Sequence, residues 1–215
     1  LCGIATALDV VGDRWSLLVV RELLLGPLRF SGLLEGLPGI GTNTLAARLK
    51  QLESSAVIRR RLLELPEGGT VYELTDYGRE LEPILMALGR WGTRSMGRLT
   101  GEVHSRSRWL VAAMLAFHGG RVNPGAPTTW ELRLSDGSFT VHADGASVTA
   151  HAGVEQAPDH VVTTSDETLH QLLTRQISPT DALARGLAEV DGGPSALVAL
   201  IDLFGFPDLA SVAAA

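Results

Sequence analysis

The sequence predicts two domains of different class: a mainly-α unit that ends in a β-hairpin, then an α+β unit built on an antiparallel meander. Three observations carry this. Residues 1–100 hold 12 Lys/Arg against 11 Asp/Glu, whereas residues 101–215 hold 6 against 13, together with all six histidines. Such an asymmetry points to two jobs rather than one, although the formal net charge of −6 taken alone would argue against an anionic partner. Apolar residues recur with a helical rhythm in the first half and alternate with period two in much of the second. Finally, Gly89, Gly92, Gly97 and Gly101 weaken the last helical rhythm of the first half and mark a junction. A chain of 215 residues suits two domains of about 100 each; the boundaries read as 1–100 and 106–208.

The elements follow in order. Apolar residues from Ile4 to Val10 and from Trp15 to Leu25 predict two helices, divided by Gly12-Asp13-Arg14. Gly26-Pro27 ends the second, because proline lacks the helical amide and constrains the residue before it. Ser31 is placed to cap a short helix through Gly36. PGIG (Pro38 to Gly41) is a turn, and Thr42 is placed to cap a helix running to about Ser55. On that helix Leu45, Leu49 and Leu52 fall within about 60° of one another and form one buried stripe. The opposite face carries Asn43, Ala47, Lys50, Gln51 and Ser54, with Thr44 and Arg48 on its flanks. VIRRRLLEL and VYELT, joined by PEGGT, read as a hairpin. Thr75 caps a further helix with Leu81, Ile84, Leu85, Leu88 and Trp91 at helical spacing.

In the second half a helix over Arg108 to His118 precedes GGRVNPGAP, a loop. WELRLSDG, SFTVHADG and ASVTAHAG then alternate, with Asp-Gly turns between them, so that Leu132, Leu134, Phe139, Val141 and Val148 share a covered face. DHVVTTS supplies another strand. Helices are expected from Asp166, from Ser178-Pro179, and over PSALVALIDLFGF with Pro194 at its start.

Several function classes are excluded by what is missing. No apolar run approaches the roughly 18–20 residues of a membrane span. The single cysteine, Cys2, rules out an internal disulfide and fits a reducing compartment; with no signal-peptide pattern, a cytoplasmic chain is expected. There is no GxSxG, no Walker loop and no cofactor motif, and no nucleophile–base pair can be assembled. His142, His151 and His160 lie on or beside the meander without metal-ligand spacing, so no metal site is expected.

A helix, a glycine turn, a polar-faced helix and a basic hairpin follow one another in the order of a winged helix-turn-helix. The second helix of such a unit enters the major groove, where short polar side chains reach base edges, while arginines on the hairpin neutralise phosphates. Thr42, Asn43, Thr44, Ala47, Arg48, Lys50 and Gln51 are the candidate readers, and Arg59, Arg60 and Arg61 the candidate backbone contacts. Strand alternation lets at most two of these three arginines share a face. Pattern alone leaves open a solvated helix on a purely structural helix–hairpin unit.

The run CGIATALDVVGDRWSLLVVRELLLGPLRFSGLLEGLPGIGTNTLAARLKQLE, continued through YELTDYGREL, resembles the HxlR-type family of bacterial transcriptional regulators. The resemblance covers residues 2–95 and joins G-D-R-W, R-E-L-L-L-G-P-x-R-F, L-P-G-I, L-x-x-R-L and Y-x-L-T-x-x-G. It implies a homodimer on double-stranded DNA carrying a palindromic operator. The helices around 4–24 and 76–95, the latter with Leu81, Ile84, Leu85, Leu88 and Trp91, are the candidates for the dimer interface, because their apolar faces exceed what a small three-helix core needs. Wings of that family carry basic residues near the tip; here Glu64, Pro66, Glu67, Gly68 and Gly69 stand there, which disfavours insertion of the tip into a groove. Cys2 coincides with a cysteine that some members use as a redox sensor; a small residue packing the first helix explains it as well.

Residues 106–206 resemble the sterol-carrier-protein-like fold, through WELRLSDGSFTVHADG, DHVVTTSDETLHQLLTRQISPTDALARG and VDGGPSALVALIDLF. That fold implies an apolar tunnel for a small hydrophobic ligand, with Trp109, Met114, Phe117, Phe139, Leu172, Ile177, Leu183, Leu200 and Phe204 as lining candidates; a filled core is the alternative for each. The expected function is a DNA-binding transcriptional regulator, not an enzyme, modulated by a hydrophobic effector. The rival is a lipid carrier whose first half serves only to dimerise.

Overall fold

The computed structural model describes residues 2–64, 66, 68–94, 106–123 and 125–206. The chain divides into two units, Leu1–Leu85 and Met86–Ala215.

The first unit opens with α1 (Gly3–Val11) and α2 (Arg14–Leu24). They separate at Asp13, whose carboxylate accepts the amides of Trp15 and Ser16 at 2.9 and 3.1 Å and so caps α2. α2 is the buried element: Val19, Val20 and Leu23 form its apolar stripe. α3 (Phe30–Gly36) starts two residues earlier than expected, with Arg29 at the N-cap and Ser31 already inside. The cause lies just upstream, where Leu28 and Tyr72 exchange backbone hydrogen bonds of 3.0 and 2.8 Å and pin the chain to the hairpin. α4 (Thr42–Ser54) likewise takes Gly41 as its N-cap, leaving Thr42 as its first helical residue. Leu45, Leu49 and Leu52 are buried on it as expected.

β1 (Ile58–Leu62) and β2 (Thr70–Leu74) pair antiparallel, with Arg59 opposite Glu73 and Arg61 opposite Val71. Thr75 caps the next helix through the Gly78 amide at 3.0 Å. Gly78 itself lies so close to the Val57 carbonyl that a Cβ there would collide with it. The single helix expected beyond Thr75 is two: α5 (Asp76–Arg79) and α6 (Glu82–Thr93).

The second unit contains α7 (Ser107–Phe117), β3 (Thr128–Leu134), β4 (Gly137–Asp144), β5 (Ser147–Ala152), β6 (His160–Thr164), α8 (Asp166–Leu173), α9 (Pro179–Ala184), β7 (Ala188–Val190) and α10 (Pro194–Asp202). The three-strand meander is present, but it is one side of a five-stranded sheet ordered β5-β4-β3-β6-β7. β6 returns parallel to β3, and β7, a strand of three residues not foreseen from sequence, pairs antiparallel with β6. The sheet is therefore mixed, and mostly antiparallel.

Its register places Trp130, Leu132, Phe139, Val141, Ala143 and Val162 on one face, all buried. Leu134 and Val148, expected on that face, are only half-buried because they sit toward strand ends. Ser165 and Ser178 cap α8 and α9, and prolines stand at the first turns of α9 and α10.

Candidate nucleic-acid interface

On α4 the leucine stripe faces inward and fixes which residues face out. Thr42, Asn43, Thr44, Ala47 and Lys50 are exposed and make no side-chain hydrogen bond with the described residues. Two expected readers behave differently. Arg48 donates from Nη1 to Gln51 Oε1 at 2.6 Å and to Asp13 Oδ2 at 3.2 Å. Gln51 in turn donates from Nε2 to the carbonyls of Asp9 and Val10, each at 3.4 Å. Both are half-buried and tie α4 to the α1–α2 corner, so the structure removes them from the free polar face.

Asp13 is the centre of that corner. Burial pushes its carboxyl up, but the hydrogen bonds from the Ser16 hydroxyl and the Trp15 and Ser16 amides, with the nearby Arg48 charge, outweigh it and hold the pKa below the usual aspartate value.

The wing arginines are also engaged. Arg59 and Arg61 share one face of β1, and each donates its Nε–H to a different oxygen of Glu73 at 2.8 Å. Arg60, on the other face, donates its Nε–H to Glu53 at 2.8 Å, joining the wing to the end of α4. The Arg61 hydrogen bond, with that of Arg59, lowers the Glu73 pKa against the opposing effect of burial. Glu53 holds the Arg60 proton more firmly than usual. At the tip, Glu64 and Pro66 are exposed and Arg29 donates to the Gly68 carbonyl at 2.6 Å; Glu67 lies outside the described residues.

The residues missed from sequence are thus the acids: Asp13, Glu53 and Glu73. Only Glu73 left a signal there. In a hairpin it falls on the same pleat as two of the three arginines, but only for one particular register.

Of the expected dimer residues, Ile84, Leu88 and Trp91 are exposed and Leu81 and Leu85 half-buried; α6 buries none of its residues. Within the first unit Ile4 and Leu8 are exposed on α1, and an apolar groove of ≈ 200 Å³ runs between Ala7, Val10 and Val11 on one side and Tyr77, Leu81 and Ile84 on the other. Cys2 is exposed and unpaired.

In the second unit Met114, Phe139, Leu172, Ile177, Leu200 and Phe204 are buried, while Trp109, Phe117 and Leu183 are half-buried. Leu172, Leu200 and Phe204 are 0 % exposed, so no space large enough for a water molecule touches them. His142 lies 3.0 Å from the Thr129 hydroxyl and His151 3.6 Å from Glu155. No helix among the described residues is long and apolar enough to cross a membrane.

A glycine-turned helix pair whose second helix presents an uncommitted polar face, followed by an arginine-bearing hairpin, defines a winged helix-turn-helix DNA-binding protein. Comparison with known proteins agrees. Residues 10–100 match the HxlR-like helix-turn-helix family and residues 113–205 the SCP-2 sterol transfer family. An HTH-type transcriptional regulator of Synechocystis, sll1512, is 40% identical over 93 residues, which are 43% of this chain and 69% of the relative. YvaP of Bacillus subtilis is 38% identical over 87 residues, 40% of this chain and 81% of that regulator. The structure of the reduced form of YodB from B. subtilis aligns at 30% identity over 44% of this chain and 93% of that one, with a TM-score of 0.40. The chain belongs to the HxlR-like helix-turn-helix family, with an SCP-2 domain after its DNA-binding domain. It is a transcriptional regulator.

Proposed function

We propose that the chain is a homodimeric, cytoplasmic regulator that reads a palindromic operator and answers to a small hydrophobic effector, with domain limits at 1–100 and 106–208. The observation that carries the DNA reading is the free polar face of α4. Asn43 and Lys50 project from it with no partner to leave among the described residues, and Thr42, Thr44 and Ala47 are exposed beside them. Asn is suited to the adenine edge, and Ala47 to a thymine methyl. Arg59 and Arg61, which share one face of β1, contact the backbone and fix the register, while Arg60 on the other face ties the wing to α4. Arg48 and Gln51 hold the helix against α1 and α2 rather than reading bases.

Dimerisation through α1 and α6 is supported by their exposed apolar side chains, since Ile4, Leu8, Ile84 and Trp91 gain from leaving water and a palindrome needs two copies. Effector binding is supported by the SCP-2 match and by the half-buried Trp109, Phe117 and Leu183. The packed state of Leu172, Leu200 and Phe204 means that a ligand entering there selects an opened form of the domain, and its differential affinity shifts the DNA-competent population.

Selection of bound fragments from genomic DNA, followed by binding titrations at several salt concentrations, tests the reading. A regulator enriches a palindrome and loses affinity steeply with salt. Failure to enrich any sequence at low salt, with lipid transfer between vesicles instead, establishes the carrier.

A further inference from the structure

We propose that Glu73 is a specificity-determining residue: it restrains Arg59 and Arg61 so that they contact phosphates only in the operator register, and thereby suppresses binding to random DNA. The proposal rests on the DNA-binding reading above and extends it to a residue that touches no DNA itself.

Glu73 stands directly opposite Arg59 in the hairpin, and Arg61 follows two residues along the same face. Both carboxylate oxygens are used, Oε1 by Arg59 and Oε2 by Arg61, each at 2.8 Å from an Nε. The Glu73 side chain is 11% exposed, whereas those of Arg59 and Arg61 are 66% and 47% exposed. A carboxylate this shielded has few other groups to turn to, so the link persists in the free protein. The terminal nitrogens of both arginines have no partner among the described residues, and they remain available to a ligand with acceptor oxygens.

Two effects follow. The first is charge: two arginines and one glutamate carry +1 rather than +2, so the pair counts as about one phosphate contact in the salt dependence. The second is geometry. A guanidinium anchored at Nε cannot swing to meet a phosphate displaced by an ångström or two, and it is the off-register complexes of non-specific binding that need such swinging. On an operator, α4 sets the position and the anchored forks already stand in place. Arg60 and Glu53 repeat the arrangement on the other face, where both side chains are more open to water.

The test compares full-length wild type with Glu73→Gln on a random-sequence duplex and on the selected operator, each over a range of salt. For the folded variant we expect random-duplex binding to tighten about five- to tenfold and its log–log salt slope to steepen by about 0.9. Operator binding should change less, so the operator-to-random ratio falls. A folded variant with unchanged or weaker random-duplex binding overturns the proposal. A purely structural Glu73 would lower the melting temperature and leave the slope where it was.

Should Glu73→Gln alone fail to fold, the triple variant Arg59→Gln, Arg61→Gln, Glu73→Gln decides the matter. A carboxylate shared by both arginines leaves the trio at +1, so removing all three charges takes about 0.9 from the slope; a loss of about 1.8 shows that the two arginines contact phosphates independently and overturns the proposal. The two levels of failure are separable. If wild type binds neither duplex, the regulator reading falls; if it binds selectively and the variants show no such pattern, only the role of Glu73 does.

Discussion

The two units treat comparable apolar helices in opposite ways. In the first unit α1 buries only Val11; α6, which crosses from the first unit into the second after Leu85, buries none of its residues. α10, with a sequence no more apolar than that of α1, buries Ala196, Leu197, Leu200 and Ile201. The amount of apolar sequence therefore does not tell where it is buried. What decides is whether the chain supplies a facing surface. The sheet of the second unit does so for α10, whose Ala196 carbonyl accepts from the Trp130 indole at 3.3 Å. The first unit offers α1 and the start of α6 only an apolar groove and leaves Ile4, Leu8 and Ile84 exposed.

Four experiments break or sharpen that contrast. The largest effect is expected in the finished core. Phe204→Ala should cost the second unit about 3–5 kcal/mol, read from a denaturant transition. A loss under about 1 kcal/mol would show that the site already relaxes around a void. On the unfinished side, Leu8→Glu with Ile84→Glu should leave the secondary structure intact by circular dichroism, because both side chains are exposed in the single chain, and should lower the melting temperature only by the loss of the proposed dimer. Sedimentation should then show a monomer, and operator affinity should fall by about a hundredfold. A persistent dimer would move the interface elsewhere.

Asn43→Ala, on the free face of α4, should weaken operator binding about tenfold and relax base preference at one position per half-site while leaving binding to random DNA intact. Equal losses on both duplexes would show that Asn43 contacts only the backbone. The smallest effect belongs to Asp13→Asn, which keeps a side-chain cap on α2 but gives up the charge facing Arg48 and the helix N-terminus, and should cost about 0.5–1 kcal/mol at neutral pH. The sign of its pH dependence is fixed by the lowered pKa of Asp13. The contribution is fully present above the unfolded value, near 4, and is lost as pH falls through the lower folded value. Wild type and variant should therefore converge as the solution is acidified below about pH 4, by thermal melts; a difference that grows on acidification would reverse the assignment.

Period and punctuation made most of the fold legible. The leucine stripe of α4, the capping Thr75, the turns between β3, β4 and β5, and Pro194 all stand where their local chemistry puts them. What was not legible depended on distant chain. β7 has three residues, too few for alternation to show, and exists because β6 offers it an edge. Arg48 reads as a base contact until Asp13, 35 residues earlier, is seen beside it. For the candidate binding surface the sequence indicated the elements, and contacts across the fold sort the residues within them into free and engaged.

The parallel pairing of β3 with β6 also sets an order of events as the chain is made. β3 lies between β4, which follows it immediately, and β6, whose register runs from Trp130↔His160 to Arg133↔Thr163. The sheet cannot close until residue 164 has left the ribosome, and its last edge waits for residue 190. Every contact inside the Leu1–Leu85 unit is available long before then. In the proposed dimer, α1 is thus ready to meet its partner before the second domain of either chain is complete.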